Sequence, residues 1–303
     1  MARRLGGNVI NADSMQVYHE LRILTARPTP AEEAMAPHRL YGVRPAADPG
    51  SVAWWRGAAL SAMADAWAEN RLPILCGGTG LYLRALTHGL AQIPDPGEPA
   101  RLEARGLLAE LGPADLHARL AAVDPASAAR LRPSDGQRLA RAWEVWRGTG
   151  RGIAAWAGEP GHPPAPCRFV AIRLAPPREA LRDAIAARFT AMIDAGAIGE
   201  VAVLMAQGLP PGLPAMRAHG VPELAAVLAG RMTLRQAQER ATLLQGQYTK
   251  RQATWFAHHA LAPDHRTLII DKRIADMTQE MESIADDLIS FVRKAVDDPD
   301  GAA

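Results

Sequence analysis

This chain is short of lysine, short of cysteine and free of long apolar runs. Among its 303 residues lysine occurs only as Lys250, Lys272 and Lys294, so nearly all of the 34 basic residues are arginine, set against 32 acidic ones. A GC-rich coding sequence accounts for that bias, although guanidinium forks also suit phosphates and base edges. Cys76 and Cys167 lie far apart with no CxxC or histidine-rich neighbourhood, which argues against a disulfide framework or a zinc site and for a reducing compartment. The N-terminus has no apolar signal core, and no stretch approaches the roughly 18 apolar residues of a spanning helix. A cytoplasmic protein without membrane contact is expected, and a monomer.

What is present can fill a large core, since 48% of the residues are apolar. Strand-like runs at Asn8 to Ile10 and at "LPILCGGTG" (Leu72 to Gly80) flank a helical stretch, "SVAWWRGAALSAMADAWAENR", with Trp54, Leu60, Met63 and Trp67 roughly on one face. Strand, helix, strand with glycines after the second strand predicts an α/β fold with a parallel sheet, its chemistry at the carboxyl ends of the strands. Residues 1–92 read as the first part of this core. Residues 93–166 change to Ala, Leu and Arg helices between Pro and Gly breaks and read as a helical insertion. "RFVAIRL" (Arg168 to Leu174) is expected to return the chain to the sheet, opening a mostly helical second part of the core over 167–270. In the remaining segment, 271–303, Met277, Met281, Ile284, Leu288 and Phe291 repeat every three or four residues, which predicts a docking helix ahead of a frayed "DDPDGAA" end.

Four stretches carry polar chemistry. Asp13, in "INADSMQVY", follows the first strand, where a carboxylate can take a proton or orient an amine; capping a helix start is the commoner use of such a residue. "GGTGLY" (Gly77 to Tyr82) lets backbone approach a ligand closely and offers the Thr79 hydroxyl, though glycines after a strand are more often a tight turn. "QRLAR" puts Arg138 and Arg141 one helical turn apart, next to Gln137, where they can grip phosphates or form a solvated face. "YTKRQATWFAHH" mixes Lys250, Arg251, His258 and His259 with Trp255 and Phe256, suited to RNA charge and base stacking or to an amphipathic core helix.

In their order and spacing, "INADSMQVY", "LTARP", "HRLYG", "LPILCGGTGLYLRAL", "SDGQRLARAWEVWRGTG", "LPAMRAHGVPEL" and "YTKRQATWF" resemble the bacterial tRNA dimethylallyltransferases across most of residues 8 to 257. The resemblance implies a P-loop NTPase-like parallel sheet core with a helical insertion domain that contacts tRNA. It also implies Mg²⁺ dependence, with dimethylallyl diphosphate as donor. The acceptor would be the exocyclic amine of the adenosine adjacent to the anticodon, within the anticodon arm of tRNAs reading codons that begin with U. In that pattern Asp13 takes the amine proton, while Thr79 and Arg217 act near the leaving diphosphate. Contacts to RNA would come from Asp13, Ser14, Met15, Gln16, Thr79, Arg101, Gln137, Arg138, Arg141, Lys250, Arg251, Gln252 and Trp255. Two departures stand out: Val221 and Pro222 replace a Tyr-Arg-like pair, and Ala257 replaces a common Arg.

Members of that family also carry a GxxxxGK[ST] phosphate loop about twenty residues ahead of the "DSMQ" element. This sequence has no GK[ST] anywhere. The expectation is a core whose first strand and phosphate loop are missing, with "MARRLGG" as the end of the first helix. Two other readings stay open at this point: an inactive RNA-binding remnant, and a nucleotide-type isopentenyltransferase.

Overall fold

The computed structural model describes residues 1–274 and 279–297, with backbone alone for 279–283. Strand β1 (Gly7–Asn11) is the middle of a three-stranded sheet in the order β2-β1-β3, with β2 at His38–Arg39 and β3 at Leu72–Cys76. Both neighbours run parallel to β1, and the register sets Asn11 beside Cys76, so β1 and β3 end at one level. β-branched Val9, Ile10 and Ile74 favour this extended, half-covered surface.

Parallel strands need crossovers. A short helix, α1 (Ala2–Leu5), precedes β1 and ends on Gly6 in the left-handed region. Between β1 and β2 lies a long loop holding α2 (Pro30–Glu33), which starts with a capping box formed by Thr29 and Glu32. Helix α3 (Val52–Ala68), capped by the Ser51 side chain, joins β2 to β3, and α4 (Gly80–Thr87) follows β3.

The buried face of α3 differs from the expected one. Trp55, Ala59, Ala62, Met63 and Ala66 are buried, Trp54 and Leu60 only partly so, and Trp67 is 41% exposed. Alanines form most of this face because a short side chain lets the helix lie close to the sheet, and a search for large apolar residues passes over them. Trp55 is the exception in size. Its indole nitrogen donates to the Asn11 carbonyl at 2.8 Å, and its ring stacks on Tyr82 at 4.5 Å.

The chain divides into two compact units, residues 1–88 with 165–303, and residues 89–164. The second unit is helical: α5 (Glu98–Val123), interrupted at Gly112 with φ 74° just before Pro113, then α6 (Pro125–Ala128), α7 (Gly136–Thr149) and α8 (Ile153–Trp156). It has a core of its own, with Ala104, Leu116, Leu120, Leu139, Ala142 and Trp143 buried together.

The first unit resumes with β4 (Ala171–Leu174), α9 (Arg178–Asp194), α10 (Ala197–Ala206), α11 (Val221–Leu228), α12 (Leu234–His258), β5 (Thr267–Ile270) and α13 (Gln279–Asp297). Here the expectation for "RFVAIRL" is corrected. Its strand covers only Ala171–Leu174 and does not rejoin the β2-β1-β3 sheet; it pairs in parallel with β5 as a separate two-stranded sheet. Of the apolar stripe expected near the C-terminus, Leu288 is buried and Ile284 and Phe291 are half-buried, while Met277 and the Met281 side chain lie outside the described residues, as do residues 298–303. Among the described residues no single helix is long and apolar enough to cross a membrane.

The two tryptophans set a contrast for mutagenesis. Trp55→Ala is expected to destabilise the protein by about 3–5 kcal/mol, the usual cost of deleting a buried large aromatic. Trp67→Ala is expected to stay within about 0.5 kcal/mol of the parent. Urea unfolding followed by circular dichroism measures both.

Candidate active site

The ends of β1 and β3 meet more closely than side chains would allow. A Cβ on Gly77 would lie 2.2 Å from the Ala12 carbonyl carbon, so only glycine fits there. The strand ladder continues past the strands proper: Ala12 N–H donates to the Cys76 carbonyl at 2.8 Å, and Thr79 N–H to the Ala12 carbonyl at 3.1 Å. The Thr79 hydroxyl then bridges the two loops, accepting from Ser14 N–H at 2.9 Å and donating to Ser14 Oγ at 3.2 Å.

Asp13 is held from both sides of this junction. Its backbone N–H donates to Asn11 Oδ1 at 2.8 Å and its carbonyl accepts from Asn11 Nδ2 at 2.9 Å. Its Oδ1 accepts from Met15 N–H at 2.8 Å and Gln16 N–H at 3.4 Å. The carboxylate thus caps a turn, and no helix starts there. Burial raises its pKa above the ordinary carboxylate value; the two backbone hydrogen bonds and the charges of His219 and Arg188 oppose this without cancelling it.

The loop after Asp13 is tied down over its length. Gln16 Nε2 donates to the carbonyls of Thr25 and Ala26, at 2.8 and 3.1 Å. The Glu200 carboxylate of α10 accepts from the N–H groups of Arg22, Ile23 and Leu24, at 2.7, 2.7 and 3.0 Å. Arg27 donates to the Tyr18 carbonyl at 3.1 Å.

Helix α12 closes on the glycine loop. Gln252 Nε2 donates to the Gly78 carbonyl at 3.0 Å, and the Trp255 ring lies where a Cβ on Gly80 would be, 2.3 Å away. Trp255 also stacks on His259, with centroids 4.3 Å apart. Lys250 and Arg251 are exposed, and the Arg251 guanidinium sits 5.6 Å from the Tyr248 ring. Tyr248 in turn packs on His219 at 4.9 Å. Burial and the charge of Arg251 lower the pKa of His219, and burial raises those of Tyr41 and Tyr248.

The structure therefore bonds Ser14 to Thr79 with Asp13 next to Ser14 in the same loop, and brings Gln252 and Trp255 onto the glycine loop. Arg217 is exposed at the end of a 3₁₀ turn (Ala215–Arg217) and makes no ion pair with a described residue. In the helical unit, Arg101 pairs with Asp95 at 2.5 Å, Arg138 with Asp135 at 3.5 Å and Arg141 with Glu144 at 2.5 Å; Gln137 is exposed. Tyr41, His219 and Tyr248 lie within the stretches "HRLYG", "LPAMRAHGVPEL" and "YTKRQATWF", although no site role is expected of them there, whereas Arg188 and Glu200 sit in helices that offer no signal.

Among the described residues no group of three His, Cys, Asp or Glu side chains could hold a metal ion. A carboxylate of raised proton affinity at paired strand ends, beside a glycine-rich turn, is the kind of perturbed group that active sites of α/β enzymes carry. Similarity to known proteins gives the family. The IPP transferase profile matches residues 16–259. The tRNA dimethylallyltransferase of Gluconobacter oxydans is 60% identical over 297 residues, covering 98% of this chain and 90% of the relative. The corresponding protein of Granulibacter bethesdensis is 59% identical over 293 residues, covering 97% and 92%. A full-length tRNA isopentenylpyrophosphate transferase from Bacillus halodurans superposes with a TM-score of 0.65 at 30% identity, over 97% of this chain and 90% of that one. A eukaryotic dimethylallyltransferase acting on tRNA shares the fold, with a TM-score of 0.74 at 23% identity over 95% and 74%. This chain belongs to the IPP transferase family.

Asp13→Asn separates the cost of the half-buried charge from its use. The amide oxygen can still accept from Met15 and Gln16, while the ionised form that burial penalises is gone. A raised folded pKa means that stability falls as pH rises through the window between the unfolded and folded values. The variant is therefore expected to be at least as stable as the parent at neutral pH, with an advantage that shrinks as the medium is acidified through that window. Urea midpoints at two pH values measure it.

Proposed function

We propose that this protein transfers a dimethylallyl group from its diphosphate to the exocyclic amine of the adenosine adjacent to the anticodon, in tRNAs reading codons that begin with U. The observation that carries the reading is the Asp13, Ser14 and Thr79 cluster at the ends of β1 and β3, in a chain about 60% identical to proteins named for this reaction. In the proposed step the amine nitrogen attacks the allylic carbon and the carbon–oxygen bond to the diphosphate breaks. The Asp13 carboxylate takes the amine proton, helped by the same burial that raises its proton affinity. Thr79, and the exposed guanidinium of Arg217, are proposed to act on the departing diphosphate.

The target base has to leave its stack, at a cost of a few kcal/mol, and contacts to the flanking RNA offset that. We assign those contacts to Ser14, Met15, Gln16, Gln252 and Trp255 near the cluster, to Lys250 and Arg251 beyond it, and to Arg101, Gln137, Arg138 and Arg141 of the helical unit. The parallel order β2-β1-β3 supports reading the core as P-loop NTPase-like. Mg²⁺ is proposed to arrive with the diphosphate, since this ion takes few protein ligands and keeps water and phosphate oxygens; the Ser14 and Thr79 hydroxyls are the donors the site offers it, and it would offset the diphosphate charge. A cytoplasmic monomer working on the anticodon arm completes the proposal.

The sequence holds no GK[ST] segment to cradle a diphosphate with successive backbone amides and a lysine. Loss of even one positioned donor costs about a hundredfold in rate. Isoprenoid incorporation into unmodified tRNA by the 303-residue chain, supplied with dimethylallyl diphosphate and Mg²⁺, is therefore expected to be slow. Rapid turnover would mean that other residues hold the diphosphate. No incorporation at all, with tRNA still bound, would favour the RNA-binding remnant. Against the turnover of the parent, Asp13→Asn is expected to lower the transfer rate by roughly 10²–10⁴-fold with little change in tRNA affinity.

The arginines of α7 are tested by salt. Replacing Arg138 and Arg141 by alanine is expected to weaken tRNA binding and flatten its log–log salt dependence by roughly 0.7–0.9 for each phosphate that the protein ceases to neutralise. An unchanged slope would leave both as solvated partners of Asp135 and Glu144.

A further inference from the structure

The helical unit contains a second feature with the chemistry of a ligand site. A cleft of about 520 Å³ opens among Gln92, Ile93, Pro94, Arg151, Trp156 and Glu159. That volume lies within the usual range for small-ligand pockets, roughly 300–1,000 Å³. Its two walls are fixed to each other: Leu90 and His162 exchange backbone hydrogen bonds at 3.0 and 2.8 Å, which sets residues 92–94 beside residues 159–160.

The floor is a built platform. Trp156, at the end of α8, donates its indole N–H to Thr149 Oγ1 at 3.0 Å, and the same oxygen accepts from Arg151 N–H at 3.3 Å. The Arg151 guanidinium lies 4.4 Å from the indole centroid and donates to Glu159 Oε1 at 2.7 Å. Indole, guanidinium and carboxylate are thus tied together, yet the Arg151 and Glu159 side chains remain 45% and 48% exposed. An unpartnered arginine would suit a phosphate. Here the charge is already balanced, and Glu159 would repel an anion. What is left open is a flat guanidinium plane, rimmed by a carboxylate acceptor and the Gln92 amide.

We infer that this cleft takes one unpaired nucleobase of the RNA substrate, stacked on Arg151 over Trp156, with its exocyclic amine donating to Glu159. Unpaired RNA bases are held by stacking on aromatic rings or guanidinium planes together with hydrogen bonds to their edges. Acceptor-only carboxylates select edges that carry N–H groups. The site lies wholly within residues 89–164 and rests on the reading of the protein as one that binds tRNA.

The test uses the full chain and an anticodon stem-loop RNA, with each loop nucleotide in turn made abasic. Arg151→Lys keeps the charge and the pairing with Glu159 but removes the plane. It is expected to weaken binding of the intact RNA about tenfold at an unchanged melting temperature, as removal of one stacked base does. One abasic position is expected to cost the parent about as much, and there Arg151→Lys should add nothing, while on every other abasic RNA it still costs about tenfold. Binding by Arg151→Lys within about twofold of the parent, or an equal loss on all abasic RNAs, overturns the site. A parent chain that binds no RNA fails the functional reading itself and takes this site down with it.

Discussion

The close crossing of two strand ends is the constraint on which the candidate site depends. Backbone at Gly77 lies against backbone at Ala12 and Asp13, closer than any side chain permits. That approach lets Thr79 reach Ser14 with both hydrogen-bonding functions of its hydroxyl, and it carries Asp13 into a setting where its charge is penalised. Trp55 supports the junction from below by bonding the last carbonyl of β1 and stacking on Tyr82 of α4. Geometry and electrostatics at Asp13 therefore share one cause, the level ending of β1 and β3 set by their register.

Holding a carboxylate in this way costs stability, and the surrounding structure offsets that cost locally. Two backbone N–H groups solvate one oxygen of Asp13, and Asn11 fixes its peptide on both sides. Farther out, Glu200 satisfies three consecutive N–H groups of the following loop, an arrangement that leaves the loop few alternatives. Asp13 thereby serves both as the cap of a local turn and as a carboxylate of raised proton affinity beside the glycine loop. The two uses are compatible because both N–H groups of the turn donate to the same carboxylate oxygen, Oδ1.

Much of this is legible in the sequence where pattern and chemistry coincide. Asp13 after an apolar run and Thr79 within a glycine cluster both mark strand ends, and their order along the chain indicates a parallel sheet. Long-range pairing is not legible. The two-residue β2 and the short β5 have no periodic signal, so the partner of β4 cannot be read from "RFVAIRL". The buried face of α3 is misplaced by hydropathy because alanines, which carry little of it, form most of that face, while the large Trp67 points outward. Arg188 and Glu200 act through space on residues more than 170 positions away in sequence, a relation that no local motif records.

The central claim is that burial at the strand ends raises the proton affinity of Asp13, and it can be tested without substrate. A ¹³C NMR titration of the Asp13 side-chain carboxyl in the folded chain, assigned by its loss in Asp13→Asn, reads that affinity directly. The account predicts a midpoint above the ordinary aspartate value of about 3.9. A midpoint at or below that value would show that the hydrogen bonds from Met15 and Gln16 and the charges of His219 and Arg188 outweigh burial, and would contradict it.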